Sequence, residues 1–232
     1  MHPDLTEGLL WYIVFLYSTT CHEAAHAWAA LRLGDDTASK GGQVSLNPWP
    51  HLRRSPFGMA VVPAVSWVAC GYVIGWASAP FDGKWAAAYP RRAALMALAG
   101  PCANLGLLLA AALLLRAGLE WNFFYSPAPF TAASIASADG SAAHFLAHLL
   151  SIAFSLNLIL FVFNLIPVPP LDGSSVPLLL LPPSWAAGFM RLTRQPILGI
   201  IGILVLMNYS GAWFMPLLRW STSLLRLGLP NP

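Results

Sequence analysis

This sequence is short of charged side chains. They make up 9% of its 232 residues, against ~25% in a soluble domain, while 57% are hydrophobic and the mean hydropathy is +0.64. That balance excludes an ordinary soluble globule and places the chain in a lipid bilayer. No stretch is both basic and soluble enough to hold nucleic acid, so no nucleic-acid partner is expected. Cysteine is scarcer still: Cys21, Cys70 and Cys102 sit in apolar runs, with no CxxC pair and no spacing that would make a disulfide framework. They read as small buried hydrophobes. The N-terminal residues lack a basic segment ahead of the first apolar run, so no cleaved signal peptide is expected. Neither an internal repeat nor a soluble appendage is visible.

What the chain does have is long apolar runs, at about 9–33, 56–80, 93–117, 142–166 and 196–218. They predict an all-α integral membrane protein of one polytopic domain over 1–232. It would be a bundle of about four to six transmembrane or re-entrant helices, with a motif-bearing core over 9–181 and a last span at 196–218. Gly42-Gln43-Val44-Ser45-Leu46 alternates between a glycine pair and Asn-Pro, which predicts one strand of a small interfacial β-hairpin. Basic loops prefer the cytoplasm. The loops at 34–55 (Lys40, Arg53, Arg54) and 81–92 (Lys84, Arg91, Arg92) are both basic, yet a simple span at 56–80 would put them on opposite sides. The segment 56–80, interrupted by Pro63, Gly71 and Gly75, is therefore expected to be re-entrant.

Polar residues inside an apolar run need a reason, because a charge in hydrocarbon costs at least ~2.5 kcal/mol. His22-Glu23-Ala24-Ala25-His26 lies within the first run. On a helix, His22 and His26 stand one turn apart on one face and can hold a zinc ion, and Glu23 beside them can act as general base toward water at the metal. Catalytic zinc takes three protein ligands and keeps one position open. The third ligand must lie at the same depth. Asp172, on the proline-broken turn Pro167-Val168-Pro169-Pro170-Leu171-Asp172-Gly173, can dip back to that level; an ordinary Asp-Gly turn is the other use of the pair.

Other polar residues divide by position. Asn104 is expected to make a helix–helix hydrogen bond, as polar residues do in bundles. Asn164, which adjoins the aspartate turn, is read as functional. His51 is assigned a loop hydrogen bond. His144 and His148, also four apart, sit near the outer end of their helix and read as structural. Gly100-Pro101 reads as a kink that lets residues 93–117 approach the histidine helix.

The motif His22-Glu23-Xaa-Xaa-His26, then Gly100-Pro101-Cys102-Ala103-Asn104, then the run from Asn164 to Gly173 resemble, in order, the motifs of the site-2 protease family of intramembrane zinc metalloproteases. The likeness reaches most of residues 15–181 and is greatest to small prokaryotic members without a PDZ or CBS domain. Leu52-Arg53-Arg54 departs from it, where such members often carry an acidic residue after the position of His51. The resemblance implies one zinc ion on His22, His26 and Asp172, with Glu23 as base and Asn164 holding substrate or the developing oxyanion. Val44, on the expected strand edge, would pair with an unwound substrate segment. It further implies membrane-anchored protein substrates and a prokaryotic plasma membrane, the active site lying toward the cytoplasm. A zinc-binding membrane protein without proteolytic activity, or a scaffold, is the alternative that the residues leave open. The oligomeric state is not legible.

Overall fold

The structure is a computed structural model that describes residues 4–193, 195–208 and 210–225. Helix α1 (Leu5–Leu33) starts at Asp4, whose carboxylate accepts from the backbone amides of Thr6 and Glu7. It ends at Gly34, whose φ of 106° is open to glycine and lets its N–H reach the carbonyls of Ala30 and Leu31. Two short helices follow, α2 (Thr37–Lys40) and α3 (Pro48–Arg54). A π-helical turn, Phe57–Val61, then runs into α4 (Val62–Cys70). After α5 (Gly83–Ala88) come the two longest apolar elements, α6 (Pro90–Glu120) and α7 (Ser141–Leu165). Both are long and apolar enough to cross a membrane. The 29 residues of α1 also suffice in length, but Glu7, His22, Glu23 and His26 dilute its hydropathy. A 3-10 helix (Asp172–Leu179), α8 (Pro183–Thr193), α9 (Pro196–Asn208) and α10 (Ser210–Leu225) complete the chain. The span expected at 196–218 is thus two helices, and Tyr209 between them lies outside the described residues.

Helices α1, α6 and α7 form the centre and alternate in direction. The guanidinium of Arg92, at the start of α6, donates to the carbonyl of Leu33 at the end of α1 (3.2 Å). At the other end, Glu7 Oε2 lies 2.6 Å from Nε2 of His148, near the start of α7. Val14 and Phe15 of α1 pack on Ile152 and Leu156 of α7. Leu108 and Leu115 of α6 pack on Phe154 and Leu158 of α7. Ala29, Ala30 and Met96 meet Leu178 of the 3-10 helix where α1 and α6 converge. Each contact removes apolar area at ~25 cal/mol per Å², but only where protein replaces water; against lipid, close fit matters more.

Residues 56–80 turn back on themselves. Gly71, with φ 73°, ends α4, and the chain returns extended. Trp76 N–H donates to Gly58 O (3.1 Å), and Arg54 Nε donates to Ser78 O (3.2 Å). The far tip touches the start of α1, where Trp67 Nε1 donates to Asp4 O. The flanks meet at the other end of α1, where Asp82 N–H donates to Asp35 Oδ2 (2.8 Å). Both basic loops therefore share one end, as their charge pattern predicts.

Two expectations need correction. The β-hairpin is absent: among the described residues there is no strand, only an isolated bridge between Tyr125 and Ser137. Residues 42–46 bend instead, because local partners take their polar groups. Gln43 N–H donates to Ala38 O, Ser45 Oγ accepts from Asn47 N–H, and Ser45 O faces His51 Nε2 at 2.9 Å. The cysteines are not buried: Cys21 is half-buried, and Cys70 and Cys102 are exposed. A bilayer accepts a small apolar thiol at a helix surface as readily as a core does.

Asp35 fastens the re-entrant segment. It is buried, which alone would raise its pKa. Hydrogen bonds from Thr37 Oγ1, Thr37 N–H and Asp82 N–H, with Lys40 nearby, outweigh that and hold the carboxyl below its ordinary value. Its stabilising effect is thus present above the unfolded pKa of ~3.9 and lost as pH falls through the lower folded value. We expect Asp35→Ala to cost about 1 kcal/mol, because it strands two partly buried amides. Limited proteolysis between residues 78 and 83 should become faster in the variant at neutral pH, with little difference near pH 2.

Candidate metal centre

Helical spacing brings the two imidazoles together: His22 Nε2 and His26 Nε2 are 3.0 Å apart. Asp172 opens the 3-10 helix after the proline-rich turn. Its Oδ2 lies 3.1 Å from His22 Nε2 and 3.3 Å from His26 Nε2. The approach depends on two glycines. A Cβ on Gly173 would meet Leu165 O at 2.3 Å, so only glycine lets the aspartate turn rest on the end of α7. A Cβ on Gly100 would meet His26 Nε2 at 2.3 Å and His22 Nε2 at 2.6 Å, so α6 lies against both rings. The reading of Gly100-Pro101 as a point of close approach agrees with this packing.

Hydrogen bonds on the far side of each ring decide which nitrogen is free. His26 Nδ1 is 2.8 Å from Met96 O, a carbonyl that can only accept, so Nδ1 carries a proton and Nε2 is the nitrogen left to ligate. His22 Nδ1 is 2.6 Å from Asn104 Oδ1, which sets the same tautomer. Asp172 Oδ2 is buried without a hydrogen-bond donor. Three potential ligand atoms therefore converge on one point. Two neutral imidazoles with one carboxylate are a zinc donor set. Atoms at ~2.0–2.1 Å from a shared tetrahedral centre stand ~3.3 Å apart, close to the separations here. Among the described residues this is the one cluster of three such ligands.

Glu23 follows His22 on the same helix, 4% exposed, and its Oε2 has no hydrogen-bond partner. A buried carboxylate oxygen left free beside a metal-ligand set is available to take a proton. The other sequence-predicted residues fall further out. Asn164, half-buried on the last turn of α7, donates from Nδ2 to Leu160 O (3.0 Å). Val44 is exposed and, with Leu46, Trp28 and Ala103, lines a groove of about 460 Å³ along the flank of α1. His51 is buried and its Nε2 faces Ser45 O, the expected loop bond. His148 pairs with Glu7, and His144 Nδ1 faces Ser137 Oγ at 3.2 Å, far along the bundle from Asp172. Asn104 does bridge helices, to Asn157, and it also meets His22, a candidate metal ligand, a contact the sequence reading missed. The one available signal was its position, one helical turn beyond Gly100.

Two histidines and an aspartate that could hold a divalent metal, buried in a helical bundle beside a free carboxylate, are the equipment of a membrane metallohydrolase. Comparison with known proteins agrees. The chain belongs to Peptidase family M50, the site-2 protease family, whose model matches residues 10–207. A relative from Bacillus subtilis (strain 168), provisionally named zinc metalloprotease YwhC, is 35% identical over 199 residues, covering 84% of this chain and 78% of the relative. No solved structure matches the chain. The protein is a metalloprotease, and zinc is the metal that its family implies.

Gly100→Ala isolates the packing requirement, since alanine is the better helix former. We expect the variant to fold and insert into membranes, and to lose bound zinc when measured by atomic emission after purification. Zinc retained at the native level would show that the helices can separate without cost to the site.

Proposed function

We propose that this chain, as a single polytopic domain, cleaves peptide bonds in or near the transmembrane segments of membrane-anchored proteins. One zinc ion would be held by His22, His26 and Asp172. The observation that carries this reading is the convergence of three potential ligand atoms next to the unpaired Oε2 of Glu23. When bound, zinc supplies Lewis-acid polarisation and makes water a competent nucleophile near neutral pH. Glu23 takes the proton of the attacking water and returns it to the leaving amine, the double use of one base that hydrolysis needs. Met96 O and Asn104 Oδ1 keep both imidazoles in the ligating tautomer throughout. Asn164 would steady the substrate or the developing oxyanion from the end of α7, although its amide nitrogen is bonded to its own helix in the resting arrangement.

A spanning helix hides its peptide bonds, so the substrate must unwind locally before cleavage. The groove beside Ala24 and Ala25 can take such an extended segment, and Val44 and Leu46 would contact its side chains. Charge supports the orientation. Arg32, Lys40, Arg53, Arg54, Lys84, Arg91 and Arg92 gather around the end of α1 nearer the histidines, while Asp4, Glu7 and Glu120 lie toward the other end. By the positive-inside rule the site then faces the cytoplasm, which in a prokaryote means the plasma membrane.

The decisive comparison is between the native chain and Glu23→Gln in cells, with zinc measured on both purified proteins. We expect the variant to keep its zinc and lose at least ~1000-fold in cleavage, roughly the weight of a positioned acid–base group. A single-pass membrane protein should accumulate in its membrane proteome. Cleavage undiminished in Glu23→Gln would exclude the peptidase mechanism and leave a zinc-binding protein of another kind.

A further inference from the structure

The two zinc-side imidazoles are held in different ways. His26 is fixed directly by a backbone carbonyl, whereas His22 depends on a side-chain amide that has two orientations. With Asn104 Oδ1 toward the ring, Nδ1 must donate and Nε2 is free to ligate. With Asn104 Nδ2 toward the ring, Nδ1 must accept, Nε2 carries the proton, and His22 cannot ligate. Something must therefore choose the orientation of Asn104.

The choice is made on α7. Asn157 Nδ2 donates to Ala153 O (2.8 Å), a carbonyl with no donor capacity, and also to Ser18 Oγ (3.0 Å). This fixes which end of Asn157 faces Asn104, namely Oδ1, which accepts from Asn104 Nδ2 at 2.9 Å. A longer contact from Asn104 Nδ2 to Ser18 O (3.4 Å) agrees in direction. The chain of donors runs one way only: His22 to Asn104, Asn104 to Asn157, Asn157 to the backbone of α7. Asn104 is fully buried and Asn157 almost so, and apolar surroundings offer no replacement partners.

We propose that Asn157 is a positioning residue of the metal centre. It touches no ligand atom, but through Asn104 it sets the tautomer of His22 and so the affinity for zinc. The proposal rests on zinc being held by His22, His26 and Asp172. It explains why two amides on separate helices are buried together, which a bilayer would otherwise disfavour.

The test measures Zn2+ affinity of the purified full chain by competition with a chromophoric chelator, together with the visible absorption of the Co2+-loaded protein. Asn157→Leu removes the acceptor at similar volume. We expect zinc affinity to fall about 10- to 100-fold, the usual weight of an outer hydrogen-bond partner, with a changed cobalt spectrum. Asn157→Asp, as the neutral acid, keeps an acceptor toward Asn104 and an O–H donor toward Ala153 O, and should bind zinc as the native chain does. Ser155→Ala serves as a control for loss of buried polarity on α7, since Ser155 bonds to Ala132 O outside this relay; it should leave both readouts unchanged. Native-like affinity and spectrum in Asn157→Leu overturn the proposal, as does an equal loss in Ser155→Ala. If Asn157→Leu does not fold, Asn157→Asp decides: affinity kept supports the relay, and affinity lost in a folded protein overturns it. Failure of the zinc assignment itself looks different, because the native chain would then bind no tighter than His22→Ala.

Discussion

Lone pairs that face one another repel, and a folded chain does not bring three of them within about 3 Å at membrane depth without a compensating charge. His22 Nε2, His26 Nε2 and Asp172 Oδ2 do meet in this way. Much of the architecture serves that meeting. The helical turn of α1 supplies two of the atoms. A proline-broken connection after α7 supplies the third, where a continuous helix would have carried Asp172 away from the bundle. Without Gly100 and Gly173 the backbones of α6 and of the aspartate turn could not come near enough. A cation bound here would serve the structure as well as the chemistry, since without one the same geometry needs protons in its place.

Burial gives the site its chemistry and also sets its difficulty. In hydrocarbon an unpaired polar group finds no water, so each one needs a protein partner or a purpose. The imidazole Nδ1 atoms have partners in Met96 O and Asn104 Oδ1. Oε2 of Glu23 has none, and it stands next in sequence to His22, which leaves it free for the proposed role of base. The same logic separates the histidine pairs. His144 and His148 have the spacing of His22 and His26, but they meet Ser137 and Glu7 as hydrogen-bonding partners, and no carboxylate turn descends to them.

The convergence of His22, His26 and Asp172 was legible because it rests on local rules. Four-residue spacing puts His22 and His26 on one face, and a proline-rich break frees Asp172 to dip inward. The re-entrant course of residues 56–80 was legible from charge, since two basic loops cannot lie on opposite sides. What stayed hidden was tertiary. The alternation at 42–46 has the period of a strand, but a strand needs a partner, and Ala38, Asn47 and His51 take those polar groups first. Asn157 and Asn164, seven apart, share a face by spacing alone. Their surroundings differ, for Asn157 is sealed between α1 and α6 while Asn164 sits half-buried at the helix end. Periodicity reports a face; it does not report what that face meets.

Close approach of backbones recurs away from the metal. In the re-entrant segment, a Cβ on Gly75 would meet Gly58 O at 2.4 Å, and one on Gly58 would meet Trp76 O at 2.2 Å. The extended return leg would otherwise present bare amides to lipid. Packed this tightly, it places Trp76 N–H on Gly58 O and Ile74 N–H on Ser66 Oγ. Glycine at 58 and 75 thus does for the backbone what Gly100 does for the imidazoles: it trades side-chain volume for a polar contact made inside protein. Non-helical chain at membrane depth and a buried ion site pose one problem, the satisfaction of polar atoms without water. In both places this sequence meets it by removing a Cβ so that the partner can reach.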